Sequence, residues 1–304
     1  MIARQTMLIQ REIWEHKSLY DAPLIVAGLL FFSFLTSFVW SLIQGLPFEA
    51  AVAGLELGGQ HVTLAGSSAL IGVSSGTLNL VLAIVVFFYS IDALYAERKD
   101  KSILFWRSLP VTDTETVVSK LLTAVIVAPL ITVAVVIATQ LVLLILFSVA
   151  LLVGGGNPIA LLWSQVPFGQ LLMHVIYGFL TASLWFAPFV GYFLFCSSFA
   201  KRSALIWVFL PVSVLAILQG IVGQSWSLIR TILSRFSDYP LAAYKPPEFD
   251  VEGEDFEEFL KNLDISQLDL MAPGQFLSSP GLWIGFAITA LFVAGASYFR
   301  RLRA

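Results

Sequence analysis

Charge is scarce in this sequence. Asp, Glu, Lys and Arg supply 12% of the 304 residues, about half the share carried by soluble globular domains. The net charge of −3 leaves no basic field of the kind that holds nucleic acid. An ordinary soluble enzyme, a disordered chain and a nucleic-acid binder are excluded on those grounds. Cysteine is nearly absent: Cys196 stands alone, which excludes an intramolecular disulfide and any multi-cysteine metal site. The three histidines, His16, His61 and His174, fall on different levels and show no H-E-x-x-H spacing. A G-x-x-x-x-G-K-[ST] phosphate loop is missing as well. What is present is apolar: 58% hydrophobic residues, including 25 Phe, 8 Trp and 8 Tyr. Such a chain takes lipid as its solvent.

A helix crossing a hydrocarbon layer of about 30 Å needs about 20 apolar residues. Runs at 24–43, 77–95, 171–195, 204–222 and 281–299 meet that length. The run at 121–153 exceeds one span and falls short of two spans with a turn, which would take roughly 40 residues. It reads as one long helix bent near Pro129, because proline removes a backbone donor. Pro188 and Pro211 mark similar bends in spans four and five. The first run follows about twenty mixed-charge residues and exceeds the apolar core of a signal peptide, so it reads as a retained span. The fold class is all-α and integral to a membrane, a single domain over 1–304 with six spans.

Thirteen of the seventeen Lys and Arg residues lie at 4–17, 98–120, 201–202 and 300–303. The segments 44–76 and 154–170 contain none. Basic flanks stay in the cytoplasm, so both termini are expected inside and the loop 223–280 outside. That loop sets ten acidic residues against the remaining four basic ones.

In residues 1–20, Ile2, Thr6, Ile9, Ile13 and Tyr20 recur on one helical face, with Arg4, Arg11 and Glu15 opposite. A helix lying in the membrane interface is expected. In 96–120, a charge cluster from Glu97 and Arg98 to Lys101 precedes Ile103, Leu104, Phe105, Trp106 and Arg107. Leu109-Pro110 stops that helix, and Thr112 or Asp113 can cap the next one. Large aromatics beside charges suit a docking surface. They equally suit a loop at the membrane surface, where Trp and Arg are common; composition leaves the two even.

The order Glu97-Arg98, Ile103 to Trp106, Ser108-Leu109-Pro110-Val111, Thr112-Asp113 and Lys120 resembles the membrane (permease) subunit of type-2 ABC transporters. The likeness covers the whole chain in topology and 96–120 in motif. It implies that 96–120 is a coupling helix for a separate cytosolic ATPase subunit. The coupling residues would be Glu97, Arg98, Ile103, Leu104, Phe105, Trp106, Arg107, Leu109 and Pro110. It further implies an interfacial helix before span one, short external helices between spans five and six, and export from a bacterial cytoplasmic (inner) membrane. Pairing with a second copy or a homologous permease is implied too. ATP and Mg would be used by the partner, with no cofactor bound by this chain, which is not itself an enzyme. The length and acidity of 223–280 depart from the family. Leu57-Gly58-Gly59-Gln60 is similar to the signature of the ATPase domains, but the charge distribution places it outside, where a turn is expected.

Trp226, Ile229, Ile232, Leu233 and Phe236 recur at helical spacing, which fits a short helix at the outer interface and a candidate outer gate. The acidic stretch 250–261 reads as a solvated loop. Within the spans, Asn79, Asp92, Gln140 and His174 either line a path or bridge helices. An ion-coupled secondary transporter would need intramembrane carboxylates or repeats, and Asp92 is one marginal case. An intramembrane enzyme would need a nucleophile beside a base, and Cys196 has no histidine near it in sequence. The leading expectation is an ATP-driven exporter subunit in contact with lipid, moving an unidentified hydrophobic or amphipathic substrate.

Overall fold

The computed structural model describes residues 2–45, 48–103, 111–201, 203–221, 227–245 and 270–302. Among them every regular element is a helix. α1 (Ile2–Glu15) and α2 (Ser18–Ile43) precede α3 (Phe48–Asp92) and the short α4 (Tyr95–Lys99). α5 (Asp113–Leu122) runs through a π-helical turn (Thr123–Val127) into α6 (Ala128–Val153), and a second π-helical turn (Ile159–Trp163) follows. Then come α7 (Phe168–Trp185), α8 (Ala187–Phe199), α9 (Ala204–Ile221), α10 (Ser227–Ala243), α11 (Pro273–Ser278) and α12 (Pro280–Leu302). Among the described residues six helical stretches are long and apolar enough to cross a membrane: Ser18–Ile43, Gly66–Lys99, Asp113–Val153, Phe168–Trp185, Ala204–Ile221 and Pro280–Leu302. The chain is an all-α, multi-pass membrane protein. We call the end that gathers α1, α4 and α5 proximal, and the end that carries α10 and α11 distal.

Three expectations need correction. The segment 44–76 is not a loop, since α3 is helical from Phe48 for 45 residues, about 68 Å at 1.5 Å per residue. No proline lies between Phe48 and Asp92, so no missing N–H or ring clash ends the helix there. For the same reason Leu57 to Gln60 is helical rather than a turn. The fourth span is two helices rather than one bent helix. Phe186 separates α7 from α8, and Pro188 sits in the first turn of α8, where its missing N–H leaves no bond unmade. The acidic stretch 250–261 lies outside the described residues.

The start of span three follows the capping reading. Thr112 accepts from the Glu115 amide at 3.1 Å, and the Glu115 carboxylate accepts from the Thr112 amide at 2.9 Å, a reciprocal cap on the first turn of α5. Two turns later the helix widens to a π-turn just before Pro129. Pro129 offers no N–H to the carbonyl four residues back, that of Val125. The Ser183 hydroxyl on α7 donates to that carbonyl instead. Elsewhere glycine permits close packing: a Cβ at Gly191 of α8 would lie 3.3 Å from the Thr289 backbone of α12. α2, by contrast, is exposed along most of its length.

Ser183→Ala strands the Val125 carbonyl in an apolar interior. We expect a loss of about 1 kcal/mol, and a smaller loss when Pro129→Ala restores the helical donor. Unfolding midpoints of the four proteins in detergent measure the difference.

Candidate functional site

At the proximal end, polar side chains from five helices converge in a buried ion network. Lys120 of α5 is 0% exposed, Glu12 of α1 1%, Arg300 of α12 3% and Glu97 of α4 6%. Charges so far from water persist only when paired. Lys120 Nζ lies 2.8 Å from Glu12 Oε1 and 3.1 Å from Glu97 Oε1. Arg300 Nη1 lies 2.5 Å from Glu97 Oε2, and its Nε 3.0 Å from Asp113 Oδ1. Arg11 completes the ring around Glu97 at 3.1 Å and also holds Glu15 at 2.8 Å. Tyr89 of α3 donates to Glu12 Oε2 at 2.8 Å. His16 sits edge-on to the Tyr89 ring, 4.8 Å between centroids; burial pushes its imidazole below the ordinary value, toward the neutral form.

The residues expected to couple turn inward where they are described. Glu97 is the centre of the network, and Ile103 is buried. Arg98 donates to the carbonyls of Ser197 and Ala200, which lack helical donors at the end of α8. The Ser197 hydroxyl in turn accepts from the amides of Leu94 and Tyr95 at 3.1 and 3.0 Å. Leu104, Phe105, Trp106, Arg107, Leu109 and Pro110 lie outside the described residues. α1 forms as expected, but its packed face holds Leu8 and Glu12 while Met7 and Trp14 stay exposed.

At the distal end α10 is fastened by a residue the hydrophobic spacing passed over. The break at Phe186 leaves the Trp185 carbonyl without a helical donor, because the Phe189 amide bonds Phe186 instead. Arg235 supplies the bond from Nε at 3.1 Å and Nη2 at 2.7 Å, and reaches the Gly281 carbonyl from Nη1 at 3.0 Å. Its guanidinium carbon lies 4.5 Å from the Trp185 ring centroid, a cation–π contact. Trp185 Nε1 returns a bond to the Arg235 carbonyl at 2.8 Å. A Cβ at Gly285 would collide with this guanidinium, so glycine keeps the seat open. Of the expected gate residues, Phe236 approaches Phe186 and Phe189, at 5.0 and 5.6 Å between centroids. Ile229 and Ile232 are half-buried, Leu233 is exposed, and Trp226 lies outside the described residues.

Between these ends a cavity of about 900 Å³ lies between α3 and the pair α7 and α8, bordered by α10; beside it α3 meets α8, where the Phe87 and Phe193 rings are 5.1 Å apart. Asn79 and His174 line it. Gln140 is buried beside it and donates to Ser75 Oγ, a lining atom, at 2.9 Å. Asp92 is exposed at the proximal end of α3, away from the cavity. Among the described residues no group of three or more His, Cys, Asp or Glu side chains could hold a metal ion.

Lys120→Met would leave the Glu12 and Glu97 carboxylates buried without Lys120 between them. We expect a stability loss of about 3–5 kcal/mol, partly recovered by adding Glu12→Gln. Glu15→Gln removes only an exposed partner of Arg11 and should change stability by less than about 1 kcal/mol. Urea unfolding of the purified variants in detergent measures all three.

Comparison with known proteins leaves the chain standing by itself: no family model, no curated protein and no solved structure matches it.

Proposed function

We propose that the chain is the membrane subunit of an ATP-driven exporter of the type-2 ABC class, paired with a second permease subunit and a separate cytosolic ATPase. The observation that carries this reading is the proximal ion network. Glu97 and Ile103 stand on one side of segment 104–110, and Asp113 and Lys120 on the other. Both sides are tied to α12, because Arg300 holds Glu97 and Asp113 at once. A segment anchored in this way passes a displacement on to the sixth span instead of absorbing it. In this reading the proximal end is cytoplasmic, in keeping with the basic residues there. Leu104 to Trp106 inserts into a groove of the ATPase while Ile103 stays buried in the subunit itself, and closure of the ATPase dimer on ATP moves the coupling segment with α4, α5 and α12. The cavity between α3 and α7–α8 gives the cargo a path, and α10 is its outer gate. Among the described residues the lining carries no carboxylate, which favours this reading over ion-coupled transport.

The test is co-expression with a candidate ATPase subunit, pull-down on the membrane subunit and hydrolysis assayed in lipid. Phe105→Ala with Trp106→Ala should release the ATPase or uncouple hydrolysis from transport, since buried aromatics at such contacts commonly account for about 2 kcal/mol each. Lys99→Ala should be mild. Full binding and full coupling in the double variant would overturn the docking role and favour a loop lying at the membrane surface.

A further inference from the structure

The wall that α3 presents to the cavity carries small or short side chains at helical spacing, Ser68, Gly72, Ser75, Gly76, Asn79 and Ala83, beside the larger Ile71, Leu80, Val86 and Phe87. Such stripes ordinarily let two helices close on each other. Here they do not. A Cβ built on Gly72 or on Gly76 meets no atom within 4 Å. On the facing wall Gly178 and Ala182 are small as well. The remaining lining is apolar: Phe179, Phe186, Phe189, Phe193 and Phe236, with aliphatic side chains such as Leu171 and Val175 between them. No Asp, Glu, Lys or Arg borders the cavity among the described residues. The polar exceptions are Ser68, Ser75, Asn79, His174, Tyr239 and Tyr244. Tyr239 donates to the Gly178 carbonyl at 3.0 Å, and Ser75 accepts from Gln140. His174 differs: its Nδ1 is buried with no hydrogen-bond partner, and its ring leans on Tyr244 at 5.2 Å.

The chemistry of the lining decides between occupants. A single small molecule fits, because ligand cavities run from about 300 to 1,000 Å³. A fixed charge would sit unpaired among phenyl rings, whereas a ligand N–H or O–H would satisfy His174.

We propose that this cavity binds an uncharged, predominantly apolar aromatic or lipid-like molecule carrying one hydrogen-bonding group, which pairs with His174. The transport reading enters only in naming that molecule as cargo. Binding is measured without any ATPase, so failure of one reading is distinguishable from failure of the other.

The test uses the full chain in phosphatidylcholine nanodiscs and N-phenyl-1-naphthylamine, an uncharged aryl amine that fluoresces in apolar surroundings. 1-Anilinonaphthalene-8-sulfonate, a closely related aryl amine with a fixed charge, is the comparison. After subtraction of empty nanodiscs, saturable binding of the neutral probe is expected, with the sulfonate about tenfold weaker or more. Gly76→Leu fills open space and should weaken the neutral probe about tenfold while the far-UV spectrum is kept; Gly72→Leu serves if Gly76→Leu does not fold. His174→Leu should weaken it about fivefold. Equal affinity for the two probes, or binding unchanged in both glycine variants, would overturn the proposal. Mass spectrometry of the purified chain separates the sources. A phospholipid held by the native chain and lost in Gly76→Leu would assign the cavity to bilayer lipid and overturn the cargo reading, and a change in oligomeric state in that variant would assign it to a second copy.

Discussion

Glu97 is surrounded by Arg11, Lys120 and Arg300, and most of the proximal architecture follows from the need to keep those charges together. An ion taken from water is tolerable only where its partners stand ready. Glu12 therefore turns inward from α1, Lys120 stands on the buried face of α5, and α12 ends with Arg300 against Glu97 and Asp113. An apolar replacement of the whole cluster could be equally stable. What the ions add is register, since hydrocarbon contacts tolerate a helix slipping by a turn and a ring of opposed charges does not.

The distal end and the middle obey the same accounting for backbone groups. A carbonyl deprived of its helical donor in an apolar interior must find another. Pro129 frees the Val125 carbonyl, and Ser183 takes it. The break at Phe186 frees the Trp185 carbonyl, and Arg235 takes it. In both places a side chain from a neighbouring helix serves as the missing backbone N–H, so each helix irregularity doubles as a tertiary bond.

These pairings explain what was legible in the sequence and what was not. Six spans and an all-helical class could be read because a run of 20 apolar residues has few alternatives in lipid. The Thr112 cap could be read because it is local. Helix ends could not: 44–76 lies between two apolar runs and reads as their connection, yet α3 is already helical from Phe48, because a helix need not stop where its apolar run does. Glu12 was passed over because the face of α1 was judged by apolar residues alone, and its partner Lys120 is 108 positions away. Arg235 looked like filler between Ile232 and Phe236, because its acceptors belong to a helix break that spacing does not reveal. Of the polar residues picked from the spans, Asn79 and His174 do line one cavity, Gln140 supports its wall through Ser75, and Asp92 lies apart. Nothing in the sequence indicated that the small-residue stripe of α3 would face open space, because that depends on how far α7 and α8 stand off.

Arg300 lies in the last helix, whereas Glu97 and Asp113 belong to the first half of the chain. During synthesis, from the amino end onward, the carboxylates of Glu12, Glu97 and Asp113 are in place while only Arg11 and Lys120 are there to balance them. The network thus lacks one of the three cations around Glu97 until the sixth span arrives. A nascent chain halted before that point has every earlier span and still lacks the bond that ties Glu97 to Asp113 through one side chain. The last helix is therefore what closes the proximal end, joining the two halves of the chain.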